Sequence, residues 1–209
     1  ALSVQEEEVA MKRRVRAIED EILTAQGNLA ISYGVLERHE RALQIKRDVY
    51  SGWLRLKGEE NENTLQSANS HAVSLNDLDR FEEARSVLRK TMPVARRVLG
   101  ESHELTQEMR STYAVSLYKD PSTTLDGLRE AVTTLEDVGR IARRVLGGAH
   151  PVTEEIEGDL ENARAELRAR EAEAVRVAEC DALQRDLDAT QARIAALNAR
   201  KAEAIGKLT

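Results

Sequence analysis

The chain repeats itself, and the period limits what it can fold into. The segments Leu56–Thr64 (LKGEENENT), Val98–Thr106 (VLGESHELT) and Val145–Thr153 (VLGGAHPVT) align over Gly58, Gly100 and Gly147 and over Thr64, Thr106 and Thr153, at intervals of 42 and 47 residues. Upstream, Ala30, Ala72 and Ala114 recur every 42 residues inside LAISY, HAVSL and YAVSL. Farther on, Arg41-Ala42, Glu83-Ala84 and Glu130-Ala131 keep the same two intervals. The five extra residues of the second interval therefore fall at about Lys119–Thr123, where lengthening a turn costs little. A period of this size marks an array of supersecondary units, each of which buries its apolar face only against its neighbours.

Each unit reads as two helices. In the second, Thr64 is expected to N-cap a helix to about Asn76, Asp77-Leu78-Asp79 to turn, and a longer helix to run from Arg80 to Leu99, stopped by Gly100. Ala72 and Ala84 suit a close crossing, with Leu75, Phe81 and Leu88 packed around it. Ala, Leu, Glu and Arg dominate, whereas one Phe, one Trp and four Tyr are too few aromatics for a strand-built class. The expected fold is all-α, with roughly 75–85% helix.

At the N-terminus, Ser3-Val4-Gln5-Glu6 reads as a capping box. Residues 1–23 are expected to form a capping helix whose Val15, Ile18 and Ile22, continued by Leu29, cover the open end of the array. Lys12-Arg13-Arg14 and Arg16 read as a solvated face beside Glu6-Glu7-Glu8. Each second helix has a weak point in its middle, at Ser51-Gly52, Pro93 and Gly139, expected to bend it and set the curvature. After Pro151, Thr153 is expected to cap a further helix, with Leu160, Ala163 and Leu167 closing the last repeat. Residues 161–209 continue as one long helix. From Cys180 a four-three seam runs through Leu183, Leu187, Thr190, Ile194, Leu197, Lys201, Ala204 and Leu208, a candidate coiled coil or a surface that folds back on the array.

These features together resemble the tetratricopeptide repeat, in the 42-residue variety of kinesin light chains. The matching residues are Asn28-Leu29-Ala30, Phe81-Glu82-Glu83-Ala84, Arg96-Arg97-Val98-Leu99-Gly100, and Arg143-Arg144-Val145-Leu146-Gly147-Gly148-Ala149-His150-Pro151. The resemblance covers roughly residues 24–160 and implies a three-hairpin α-solenoid there. It also implies a concave groove in which the Asn of Asn-Leu-Ala holds a peptide backbone. Asn28 keeps that residue, and Ser70 and Thr112 stand in its place in the later units. With Ser32, Ser74 and Ser116 one turn on, these six form the expected groove ladder.

The remaining features narrow the function. A net charge of −6 argues against general nucleic-acid affinity. No apolar run approaches the roughly 20 residues a membrane span needs. A single cysteine, Cys180, permits no intramolecular disulfide and fits the cytoplasm, another reducing compartment or a processed organelle protein; the seam position makes it a structural thiol. His103 and His150 occupy equivalent linker positions, and His71 holds the packing slot of Leu29 and Tyr113. No zinc-protease helix, phosphate-binding loop or nucleophile elbow is present. The expected function is a non-enzymatic scaffold without cofactor or metal, binding a peptide or helix of a protein partner through the groove or through Leu183, Leu187, Ile194 and Leu197. The alternative is a permanent structural subunit of a larger assembly. Because Thr190 and Lys201 interrupt the seam, a hetero-complex is favoured over a homodimer.

Overall fold

The computed structural model describes residues 2–206, with side chains at 14, 15 and 18–200. Among these, the chain forms seven α-helices and no strand: α1 (Leu2–Val35), α2 (His39–Lys57), α3 (Glu62–Asp77), α4 (Phe81–Val98), α5 (Glu104–Tyr118), α6 (Leu125–Val145) and α7 (Pro151–Gly206). Helix makes up 86% of the chain, slightly more than expected because α1 already includes Leu2 and α7 opens at Pro151. The capping box is thus overrun by one residue, and its side chains lie outside the described set, as do those of Lys12, Arg13 and Arg16. The chain divides into two compact units, residues 1–165 and 166–209.

The first unit is a tetratricopeptide-type solenoid of three helical hairpins, α1–α2, α3–α4 and α5–α6, continued by the start of α7. The aligned alanines explain how its hairpins close. Ala30, Ala72 and Ala114 on the first helices are fully buried, as are Ala84 and Ala131 on the second helices, with Ala42 at 2% exposure. A side chain this small lets helix axes approach closely, and larger residues then fill the flanks. Leu75, Leu88, Met109, Leu128 and Leu135 do so, each at 1% exposure or less. The aligned glycines punctuate the array: Gly58, Gly100 and Gly147 sit at φ of 83°, 97° and 91°, a left-handed conformation that favours glycine after a helix. The inner turns repeat too, with Glu37 and Asp79 at φ 57° and 56°.

The threonines, however, are not the caps. The N-cap of α3 is Asn61, whose side chain accepts from the Asn63 backbone N at 3.0 Å. One period on, His103 caps α5 by accepting from Leu105 N through Nδ1 at 3.3 Å. One period further, His150 Nδ1 accepts from Val152 N at 3.3 Å. The linker histidines are therefore backbone acceptors, an Asn-like role that requires an unprotonated Nδ1. His103→Ala is expected to lose about 1 kcal/mol of stability and His103→Asn to restore most of it; equal urea midpoints for the two variants would contradict the cap.

Thr64, Thr106 and Thr153 sit three residues after these caps and are buried at 1%, 0% and 0% exposure. None of the three hydroxyls has a protein hydrogen-bond partner. A shape-matched apolar replacement removes a desolvated hydroxyl without opening a cavity. Thr64→Val or Thr106→Val is therefore expected to leave stability unchanged or raise it by about 1 kcal/mol, read as a shifted midpoint in thermal unfolding. A clear loss would mean the hydroxyl is hydrogen-bonded in solution.

Two mid-helix weak points prove to be packing contacts. A Cβ on Gly52 would lie 2.5 Å from Leu23 Cδ2, so α1 and α2 touch through the missing side chain; a Cβ on Gly139 would meet Ile156 of α7 at 3.5 Å. Helix α4 runs through Pro93 without ending. The N-terminal stripe also departs from expectation. Val15, Ile18, Ile22 and Leu29 are about half exposed, because α1 turns Ala30 and Leu23 toward α2 instead. Asp20 pairs with Lys57 of α2 at 2.8 Å.

At the start of α7, Ile156 and Ala163 are buried at 4% and 0%, closing the third hairpin. In the second unit, Leu183, Leu187, Ile194 and Leu197 are 70%, 49%, 53% and 63% exposed. Cys180 is exposed rather than buried, since one helix cannot cover its own seam. The seam positions Lys201, Ala204 and Leu208 lie outside the described side chains. No helix among the described residues is long and apolar enough to cross a membrane.

Candidate functional site

The expected ladder divides into exposed and covered positions. Asn28 and Ser32 are exposed, Ser70 is half-buried, and Ser74, Thr112 and Ser116 are buried. Ser32 donates only to the Asn28 carbonyl one turn back. Ser74 instead accepts from Lys46 Nζ of α2 at 2.7 Å. Ser116 donates to the Tyr113 carbonyl at 2.6 Å, while its own carbonyl accepts from Arg85 Nη1 of α4 at 2.6 Å. The second helix of the preceding hairpin therefore covers this slot, and Ser32 escapes because no hairpin precedes α1. Thr112 Oγ1 donates to the Glu108 carbonyl, and its carbonyl accepts from Asn76 Nδ2. Two of the six positions, Ser74 and Ser116, thus lie under the preceding second helix, and an arginine at Ser74 would enter the core instead of a channel.

Two clefts line the first helices. One of about 260 Å³ lies between α1, α2 and α3 and includes the ladder residues Asn28 and Ser70. Its walls are Leu23, Ile31 and Trp53, and its one cation is Lys46. Burial pulls the Lys46 ammonium below the ordinary lysine value, and Asp77 partly offsets this.

The other cleft, of about 320 Å³, lies against α3, α5, α6 and the start of α7 and includes Thr112. Its walls carry Val73, Val145 and Val152, with Glu104, Glu108 and Glu155 around them and no Lys, Arg or His. Burial raises the Glu108 carboxyl above the usual value, and the charges of Glu104 and Glu155 push the same way against a hydrogen bond from Gln66.

Sequence reasoning named Asn28, Ser70 and Thr112 but missed the residues one turn before and after them. In successive first helices these are Thr24, Gln66 and Glu108, then Ile31 and Val73. The period of 42 marks these positions as strictly as it marks the ladder. Among the described residues, no group of His, Cys, Asp and Glu is placed to hold a metal ion.

Residues 21–97 match the model of the tetratricopeptide repeat family. That match spans 77 of the 209 residues, and over that stretch the chain is similar to the family. The chain's fold is similar to that of two solved structures. One is BtubC (BKLC) from P. vanneervenii, with 17% identity over 77% of this chain and 65% of that chain and a TM-score of 0.54. The other is a Podosopora anserina putative kinesin light chain with nearly identical TPR-like repeats, with 20% identity over 83% of each chain and a TM-score of 0.56. The chain thus spans about two-thirds of the BtubC chain. No curated protein sequence matches it.

Proposed function

We propose that this protein is a non-enzymatic interaction scaffold that takes a peptide or helix of a partner protein along its first helices. The observation that carries this reading is the pair of part-apolar clefts on the first helices, one of which brings Asn28 and Ser70 together. Clefts of a few hundred Å³ with apolar walls and a few polar groups suit side chains of a docked segment. The test is selection of a peptide from a random library on the folded protein, followed by Asn28→Arg and Ser70→Arg. Both variants are expected to abolish binding with helix content unchanged, because neither side chain is fully buried. Binding that survives both substitutions would overturn the reading.

A second reading, a permanent structural subunit, draws on the half-exposed Leu187 and Ile194 of the tail seam. A helix face this apolar is commonly covered by another helix. Leu187→Asp with Ile194→Asp is expected to release a co-purifying partner while the repeats stay folded. A protein that is monomeric and free of partners before the substitution would remove this reading.

A further inference from the structure

The α3–α5–α7 cleft gathers three carboxylates and no Lys, Arg or His in one lining. Nearby acidic side chains outside the cleft meet cations: Glu82 pairs with Arg85 and Arg89, Glu101 with Arg96 and Arg110, Glu136 with Arg164, and Glu157 with Arg143. Glu104, Glu108 and Glu155 have no ion-pair partner among the described residues, although they line one cleft. The same cleft holds Asn69, only 5% exposed, whose amide nitrogen reaches Glu108 Oε2 at 3.5 Å while its carbonyl oxygen Oδ1 accepts nothing. A buried acceptor without a donor is costly when left alone. The unpaired acceptor and the unpaired carboxylates therefore ask for the same thing, a cationic donor. Val73, Val145 and Val152 on the walls ask for something apolar beside it.

We infer that this cleft takes a segment of a partner protein in which lysine or arginine alternates with aliphatic residues. A long cationic side chain suits such a site, because its methylene stem lies along the valines while its head meets the carboxylates. Occupation would relieve the repulsion among the three glutamates and pair Asn69 Oδ1. The inference rests on the groove reading above and specifies the chemistry of what the groove takes.

The probe is a fluorescein-labelled ten-residue peptide of alternating leucine and lysine, compared with its leucine–glutamate counterpart by fluorescence anisotropy against the full chain. The leucine–lysine peptide is expected to bind, and Glu108→Gln with Glu155→Gln to weaken it about tenfold. Glu130→Gln with Glu179→Gln, which removes the same charge at exposed sites elsewhere, is expected to leave binding within twofold. Circular dichroism should show equal helix content in all forms. Equal weakening by both pairs would reduce the effect to net charge and overturn the inference. Preferential binding of the leucine–glutamate peptide, blocked by Ser70→Arg, would overturn the cationic chemistry and keep the groove. Binding of neither peptide, together with no library peptide sensitive to Asn28→Arg or Ser70→Arg, would overturn both.

Discussion

Replacing Arg85 by alanine is expected to cost about 3–5 kcal/mol, the range for stripping one partner from a buried ion pair. Arg85 lies on α4 at 7% exposure, and Asp120 lies after α5 at 8%. Their contact, Nη2 to Oδ2, is 2.6 Å. The other two guanidinium nitrogens donate as well: Nη1 to the Ser116 carbonyl at 2.6 Å and Nε to Glu82 Oε2 at 2.9 Å. Asp120 Oδ1 in turn accepts from Ser122 N at 2.8 Å and Ser122 Oγ at 2.7 Å. Burial opposes the charge on Asp120, but the Ser122 and Arg85 hydrogen bonds outweigh it and hold the carboxyl below its usual value. The alanine variant leaves that carboxylate and the Ser116 carbonyl desolvated and unpaired, which is why the loss should exceed that of an exposed bridge. Arg85→Ala with Asp120→Ala is expected to lose clearly less than the two single losses added, because the stranded charge is gone. Urea unfolding decides it. A loss under about 1 kcal/mol for Arg85→Ala would show the pair to be solvated.

This clamp also shows where reading the sequence stops. Arg85 occupies the repeat slot filled by Leu43 and Val132 in the neighbouring units, and Asp120 sits in the five-residue insertion that follows α5. Each oddity was visible in the chain, yet their pairing depends on the path the chain takes between them. The alanines and glycines were legible for the opposite reason, since close helix crossings and left-handed turns recur with the period and tolerate few residue types. Threonine misled because its type suggests a cap, while Asn61, His103 and His150 do that work three residues earlier. The exposure of the ladder positions was half legible for a related reason. Ser32, Ser74 and Ser116 are identical in sequence, but only the last two have a preceding second helix lying over them. A period identifies equivalent positions; which of them face water depends on the neighbours on each side, and the first unit lacks one.

Acidification from pH 8 to pH 5 is expected to destabilise the protein by about 2 kcal/mol more than it destabilises a His71→Gln variant. His71 is 8% exposed on α3, stacked on Tyr50 of α2 with ring centroids 6.4 Å apart and planes 21° from parallel. Its Nδ1 has no hydrogen-bond partner. Burial is the main cause that lowers its pKa from 6.5 to about 4; Arg47, Arg80 and Lys46 push the same way, and Glu83 opposes them. The folded chain therefore keeps the ring neutral where the unfolded chain protonates it. Between about pH 6.5 and 4 the unfolded state binds more protons, so stability falls as the pH falls through this window and is full above it. Carboxylates titrate in part of the same range, which is why the slope must be read as a difference between the native chain and His71→Gln. Parallel stability profiles for the two proteins would show that His71 protonates freely in the folded state. A larger acid loss in the native chain, confined to that window, would show that the buried His71 ring stays neutral in the folded state where the unfolded chain protonates it.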